Sequence, residues 1–249
     1  GLDSDALLCA YVAGMEVGTR LASVARGGFH QVGFHPTGMI GTFACALVAG
    51  RLFGLNAQQL SMAQGIALSM ASGSLEFLQD GAWTKRMHPG WAAVAGFTAA
   101  TLARHGFKGP RATYEGRFGV FNSYLGPLAK DCDLGLATAG LGEVWELAKV
   151  TVKPLPACHF THACADAAAI LRDRHSLRVA DIAAVRALVP AEVVKTVCEP
   201  VATKKRPQNS YDAQFSIPYT VATALAKGRF GLAELDDAAL RDEQVLALA

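Results

Sequence analysis

Apolar side chains recur at helical spacing through residues 4–25, "SDALLCAYVAGMEVGTRLASVA", and predict a first helix. Gly14 and Gly18 lie four apart on one of its faces, which suits close approach of a second helix. "GTFACALVAGRLFGL" reads as that second helix, stopped by Gly54. Asn56, followed three residues on by Gln59, has the form of a capping box opening a third helix that runs to about Ser72. "HPGWAAVAGFTAATLARHG" predicts a fourth, with Pro89 in its first turn and Arg104 and His105 in its last, before Gly106. These helices are rich in Ala and Gly and carry few charges. A helix apolar nearly all round packs centrally in a bundle, so residues 1–147 are expected to form one helical domain.

The pattern then changes. "AKVTVKPLP" alternates β-branched with other residues before two prolines and reads as a short strand, and "AAVRALV" as a second. "THACADAAAILRDRH" predicts a helix with Thr161 as its N-cap. "FSIPYTVATALAKG" predicts another, begun or kinked at Pro218 and stopped by Gly228. The expected fold is mainly α: an all-helical bundle over 1–147, then part of an α+β domain over 148–249. Two or three strands make a sheet too small to stand alone.

Composition narrows the function classes. Hydrophobic residues make up 51% and charged residues 18%, enough for a core and too apolar for disorder. A net charge of +2 gives no electrostatic case for nucleic acid. Six scattered cysteines (Cys9, Cys45, Cys132, Cys158, Cys164 and Cys198) lack the spacing of a disulfide framework and read as reduced thiols of a cytoplasmic protein. Gly, Ser, Arg or Glu interrupts each apolar run before the ~20 residues of a membrane span, so no membrane role is expected. The chain opens inside a core helix with no signal peptide, as if something upstream were missing.

No HExxH, P-loop, G-x-S-x-G or dinucleotide fingerprint occurs. "CHFTHAC" supplies zinc-type ligands in Cys158, His159, His162 and Cys164, but their spacing matches no familiar zinc arrangement. "GGFHQVGFHPTG" places His30 and His35 in a glycine-bounded loop. That loop is either structural or an active-site loop, and His35, held extended by Pro36, is the better proton-transfer candidate. "DGAWTKRMHPGW" gathers Lys85, Arg86 and His88 between two tryptophans. Solvated cations beside core tryptophans would be the plain reading, yet cations are unfavourable at a helix start unless an anion offsets them. A carboxylate bound by Lys85, His88 and first-turn N–H groups would do so.

The blocks "GFHPTGMIGTFACALVAGRLFGL", "SGSLEFLQDGAWTKRMHPGWAA", "HGFKGPRATYEGRFGVF", "KPLPACHFTHACADAA" and "DAQFSIPYTVATAL" resemble, in order, the MmgE/PrpD family, which includes 2-methylcitrate dehydratase, cis-aconitate decarboxylase and iminodisuccinate epimerase. The resemblance implies a homodimeric enzyme with no metal or organic cofactor, built of a helical domain and an α+β lid with the active site between them. It puts His35, Lys85 and Tyr219 on catalytic positions and His88 and His162 on substrate-binding ones; Arg86, a cation beside Lys85, is a further substrate-binding candidate by its charge. It implies acid–base lyase chemistry on a small di- or tricarboxylate: dehydration of 2-methylcitrate first, with epimerisation or decarboxylation as alternatives. Family members are longer, with an N-terminal helical segment and a C-terminal segment completing the lid, and they often have lysine where this chain has Gln214. A truncated, non-catalytic helical scaffold is the expectation from outside enzymology.

Overall fold

The computed structural model describes residues 3–249, which divide into two compact units. The first takes the chain up to Leu75 together with Thr84–Val150; the second takes Glu76–Trp83 together with Thr151–Ala249. The first unit holds α1 (Ser4–Val24), α2 (Gly28–Gln31), α3 (Pro36–Leu52), α4 (Ala57–Leu68), α5 (Thr84–Arg104) and α6 (Val120–Leu125). The second holds α7 (His159–His175), α8 (Ala191–Val197), α9 (Val201–Lys205), α10 (Ser210–Gln214), α11 (Ile217–Lys227) and α12 (Glu243–Leu248). The class is mainly α.

In the first unit, α3 lies against α1, α4 and α5. Gly14 and Gly18 make the close approach that their spacing predicts. A Cβ at Gly14 would overlap Val48, and one at Gly18 would press on Ala44. The core gathers Phe29, Met39, Phe43, Ala63, Ala99, Phe121 and Leu125. The Asn56–Gln59 capping box forms in both directions, and α4 starts beside it at Ala57. By length and composition α1 is apolar enough to cross a membrane. Its buried Glu16–Arg20 ion pair and its packing on α3 mark it instead as a core helix of this unit.

The second unit is organised around α11, whose Ile217, Tyr219, Val221, Ala222, Ala224 and Leu225 are buried in two adjoining apolar clusters. Its bounds follow the sequence: Pro218 stands in the first turn, and Gly228 ends it at φ 73°. Ser216 caps it by accepting from the Tyr219 N–H, and donates its own proton to the Lys204 carbonyl.

Three expectations are corrected. No strand forms among the described residues; 150–153 and 184–190 have no regular structure and pair with no neighbour in a ladder. Val152 and Leu188, 90% and 87% exposed, show why: an alternating pattern stabilises a strand only when a neighbour pairs its backbone and covers one face. Thr161 is not a cap, because α7 begins at His159 and Thr161 Oγ1 donates back to the Cys158 carbonyl at 2.9 Å. Helix α5 begins at Thr84, so Pro89 lies inside it. An early proline is tolerated because few N–H groups precede it, and only the bond to the Lys85 carbonyl is forgone.

Candidate active site

The chain builds a polar cluster where the start of α3 meets the start of α5. Residues 33–35 run antiparallel to 73–75: the Leu75 N–H donates to the Gly33 carbonyl and the His35 N–H to the Gly73 carbonyl, both at 2.8 Å, around the isolated Phe34–Ser74 bridge. His35 is the N-cap residue of α3, its carbonyl accepting from Gly38 and Met39. Its side chain makes no cap. It turns to His88, four residues into α5, and the two Nδ1 atoms meet at 3.0 Å. His88 is only 5% exposed. Gly38 makes the fit possible, since a Cβ there would overlap the Ser72 carbonyl oxygen and crowd His88.

Lys85 stands one turn before His88, half-buried in the first turn of α5. Burial pushes the His88 pKa down, and the Lys85 ammonium pushes it further; the same two causes, in the same order, act on His30. So Lys85, His88 and His30 share one neighbourhood, and His35 joins it through His88. His30, which ranks below His35 on the sequence alone, thus belongs to the same cluster. Its signal was present, in the same glycine-bounded loop as His35, but nothing local told which of the two faces α5.

Arg86 follows Lys85 on the helix and is exposed. Successive helical residues point about 100° apart, so a Lys85-directed ligand is not automatically an Arg86-directed one.

Two expected site residues belong to the second unit, and the structure gives both other work. Tyr219 is fully buried at 0% exposure, and its hydroxyl donates to the Glu234 carbonyl at 2.8 Å. Burial pushes its pKa up to about 12. A phenol so held anchors the core of the second unit. Tyr219→Phe should therefore lower stability by about 1–2 kcal/mol, because it leaves a buried carbonyl unsatisfied. Urea unfolding reads this; unchanged stability with lost turnover would return Tyr219 to the chemistry.

His162 lies in the first turn of α7, stacked on His159 with centroids 4.8 Å apart, as residues three apart on a helix can be. Its Nε2 is 3.2 Å from the Ala157 carbonyl. A carbonyl only accepts, so Nε2 carries the proton, and the buried Nδ1 is an acceptor without a hydrogen-bond partner. Burial lowers its pKa. In this arrangement the His162 N–H is taken up by the protein's own backbone. A hollow of about 610 Å³ lined by Tyr11, Gly14, Cys45, Val48, Phe53 and Phe97, among others, carries no charged group and does not suit a polycarboxylate.

Residues 1–132 match the MmgE/PrpD N-terminal domain and residues 155–249 the MmgE/PrpD C-terminal domain. The chain belongs to the MmgE/PrpD family. Human cis-aconitate decarboxylase is 28% identical over 256 residues, covering 100% of this chain and 50% of that protein. Cis-aconitate decarboxylase of Aspergillus terreus is 28% identical over 229 residues, 88% of this chain and 46% of that one. The mouse cis-aconitate decarboxylase is 29% identical over 238 residues, 92% and 45%. The chain spans about half the length of these relatives. Within this MmgE/PrpD chain, His35, Lys85 and His88 fall in the first matched domain, and His162 and Tyr219 in the second.

Proposed function

We propose that this chain carries the binding and proton-transfer groups of an acid–base lyase that decarboxylates cis-aconitate or a close tricarboxylate analogue. The observation that carries the reading is the Lys85 ammonium beside the hydrogen-bonded imidazole pair of half-buried His35 and buried His88. A tricarboxylate needs fixed positive charge, and Lys85 in the first turn of α5 supplies it, where the helix dipole also favours an anion. In decarboxylation a carbon–carbon bond breaks and CO2 leaves. The electron pair left behind spreads toward a remaining unsaturated carboxylate and takes up one proton. Lys85 stabilises that growing negative charge, and an imidazole delivers the proton near neutrality. As the family resemblance implies, these steps need no metal or organic cofactor.

The decarboxylase relatives support this chemistry over dehydration of 2-methylcitrate. So does Tyr219: dehydration needs an acid at the departing hydroxyl, and the tyrosine expected to serve donates instead to Glu234. Incubation with cis-aconitate and, separately, with 2-methylcitrate tests the reading, with CO2 release and proton NMR as readouts. The expected result is CO2 loss from cis-aconitate. A melting temperature raised by cis-aconitate without any turnover would reduce the protein to a polycarboxylate binder. No thermal shift and no turnover with either acid would overturn the proposal.

A further inference from the structure

The contact between His35 and His88 joins like atoms, Nδ1 to Nδ1 at 3.0 Å, with ring centroids 5.2 Å apart and planes inclined by 42°. Two nitrogens at this distance need one proton between them. With none, two lone pairs face each other; with two, two N–H groups do. A neutral imidazole carries a single N–H. The ring that donates at Nδ1 therefore keeps a lone pair at Nε2, and the ring that accepts at Nδ1 carries its own proton at Nε2.

We infer that His88 is a positioning residue for His35: one shared Nδ1 proton holds the two rings in opposite tautomers, so a neutral pair presents one basic and one proton-donating Nε2. Moving a proton along the chain exchanges the roles. When the basic Nε2 gains a proton, that ring's Nδ1–H bond breaks, an Nδ1–H forms on the partner ring, and the partner's Nε2–H leaves. The pair's charge is unchanged. That this pair serves a substrate rests on the function proposed above; the tautomer arrangement does not.

The surroundings fix both rings. The His35 backbone is tied to Gly73, and a Cβ built on Gly73 would stand 3.3 Å from His88 Nδ1, so this turn closes directly on the ring. The start of α3 presses on the same side chain at Gly38. Lys85 from α5 and His30 from α2 are titratable groups of this neighbourhood, the Lys85 charge acting on both His88 and His30. Burial and the Lys85 charge both oppose a second proton on His88, which favours the neutral, single-proton state.

The test is 15N NMR of the histidine-labelled chain at about pH 8, above the ordinary imidazole pKa of about 6.5. The expected spectrum has one protonated and one unprotonated Nδ1 for His35 and His88, with scalar coupling between them across the hydrogen bond. Acidification should abolish the coupling as the second Nδ1 becomes protonated. In His88→Asn the side-chain amide can replace the Nδ1 partner, and His35 should stay in one tautomer; in His88→Phe it should relax to a mixture. Equal protonation of both Nδ1 atoms in the wild type, or a His35 tautomer indifferent to both substitutions, would overturn the inference. The spectra require no turnover. Coupling without catalysis therefore counts against the proposed reaction alone, and catalysis without coupling against this inference alone.

Discussion

Lys85→Met should lower kcat/KM for cis-aconitate by about 10²–10³-fold, the loss typical when a single fixed donor to a developing negative charge is removed. The size follows from position. Lys85 is half-buried in the first turn of a 21-residue helix, where the backbone already favours an anion, and its ammonium acts on His30 and His88. Methionine keeps most of the stem's packing and removes only the charge, so a stability change large enough to explain the loss is not expected. The pH profile gives a second readout with a definite sign. A neighbouring cation lowers an imidazole pKa, so its removal lets the His88 pKa rise toward the ordinary value. The acid limb of kcat/KM should then move to higher pH. The move should be partial, because burial, the larger of the two causes, remains. Lys85→Arg tests charge against shape, since a planar fork does not replace a compact ammonium at a fitted site. Wild-type kcat/KM and an unmoved acid limb in Lys85→Met would remove Lys85 from the chemistry.

The pH argument extends to folding. His88 has its pKa lowered in the folded chain, so on acidification the unfolded chain binds this proton first. The stability that a neutral, buried His88 contributes is present above the unfolded value of about 6.5 and is lost as pH falls below it.

What could be read from the sequence was what depends on neighbours along the chain. The Asn56–Gln59 box, the Gly14–Gly18 face, and the Pro218 and Gly228 bounds of α11 all involve residues a few positions apart, and all appear as their chemistry dictates. The unladdered segments 150–153 and 184–190 had the right alternation, but a strand is a property of a pair. The candidate site divides in the same way. "HPTG" and "TKRMHPGW" each marked a block of suitable residue types, and the anion argument at the α5 start was local. The contact that organises them joins residues 53 apart, and its geometry follows from the pairing of 33–35 with 73–75. No pattern within either block encodes that register. Tyr219 shows the converse. A motif placed it among reactive groups, and burial with a bond to Glu234 gave it a structural task.

Glu and Arg four apart on a helix, as at Glu16 and Arg20, usually mark a solvated face. Here both are buried, and they tie α1 to a loop far along the chain. Arg20 Nε meets Glu16 at 2.6 Å, while its two terminal nitrogens donate to the Ala139 and Val144 carbonyls at 2.7 and 2.6 Å. Glu16 accepts from the Glu146 and Leu147 N–H groups at 3.1 and 2.9 Å. Removing either partner leaves a buried charge and several backbone groups uncompensated. Glu16→Ala or Arg20→Met should each cost about 3–5 kcal/mol in denaturant unfolding at neutral pH. The double replacement Glu16→Met/Arg20→Met should cost clearly less than the sum of the two single ones, because it takes both charges out together. Burial opposes ionisation of Glu16, but the Leu147, Arg20 and Glu146 hydrogen bonds outweigh it and hold the carboxyl below its ordinary value. A depressed folded pKa means stability that is complete above the unfolded value of 4.5 and is lost as pH falls through the folded one. The wild type should thus lose stability below about pH 4.5 more steeply than Glu16→Gln, which has no such proton to bind. Additive single and double losses, or parallel acid limbs in the two proteins, would mean that Glu16 and Arg20 act separately and that the latch between α1 and residues 139–147 is not an electrostatic one.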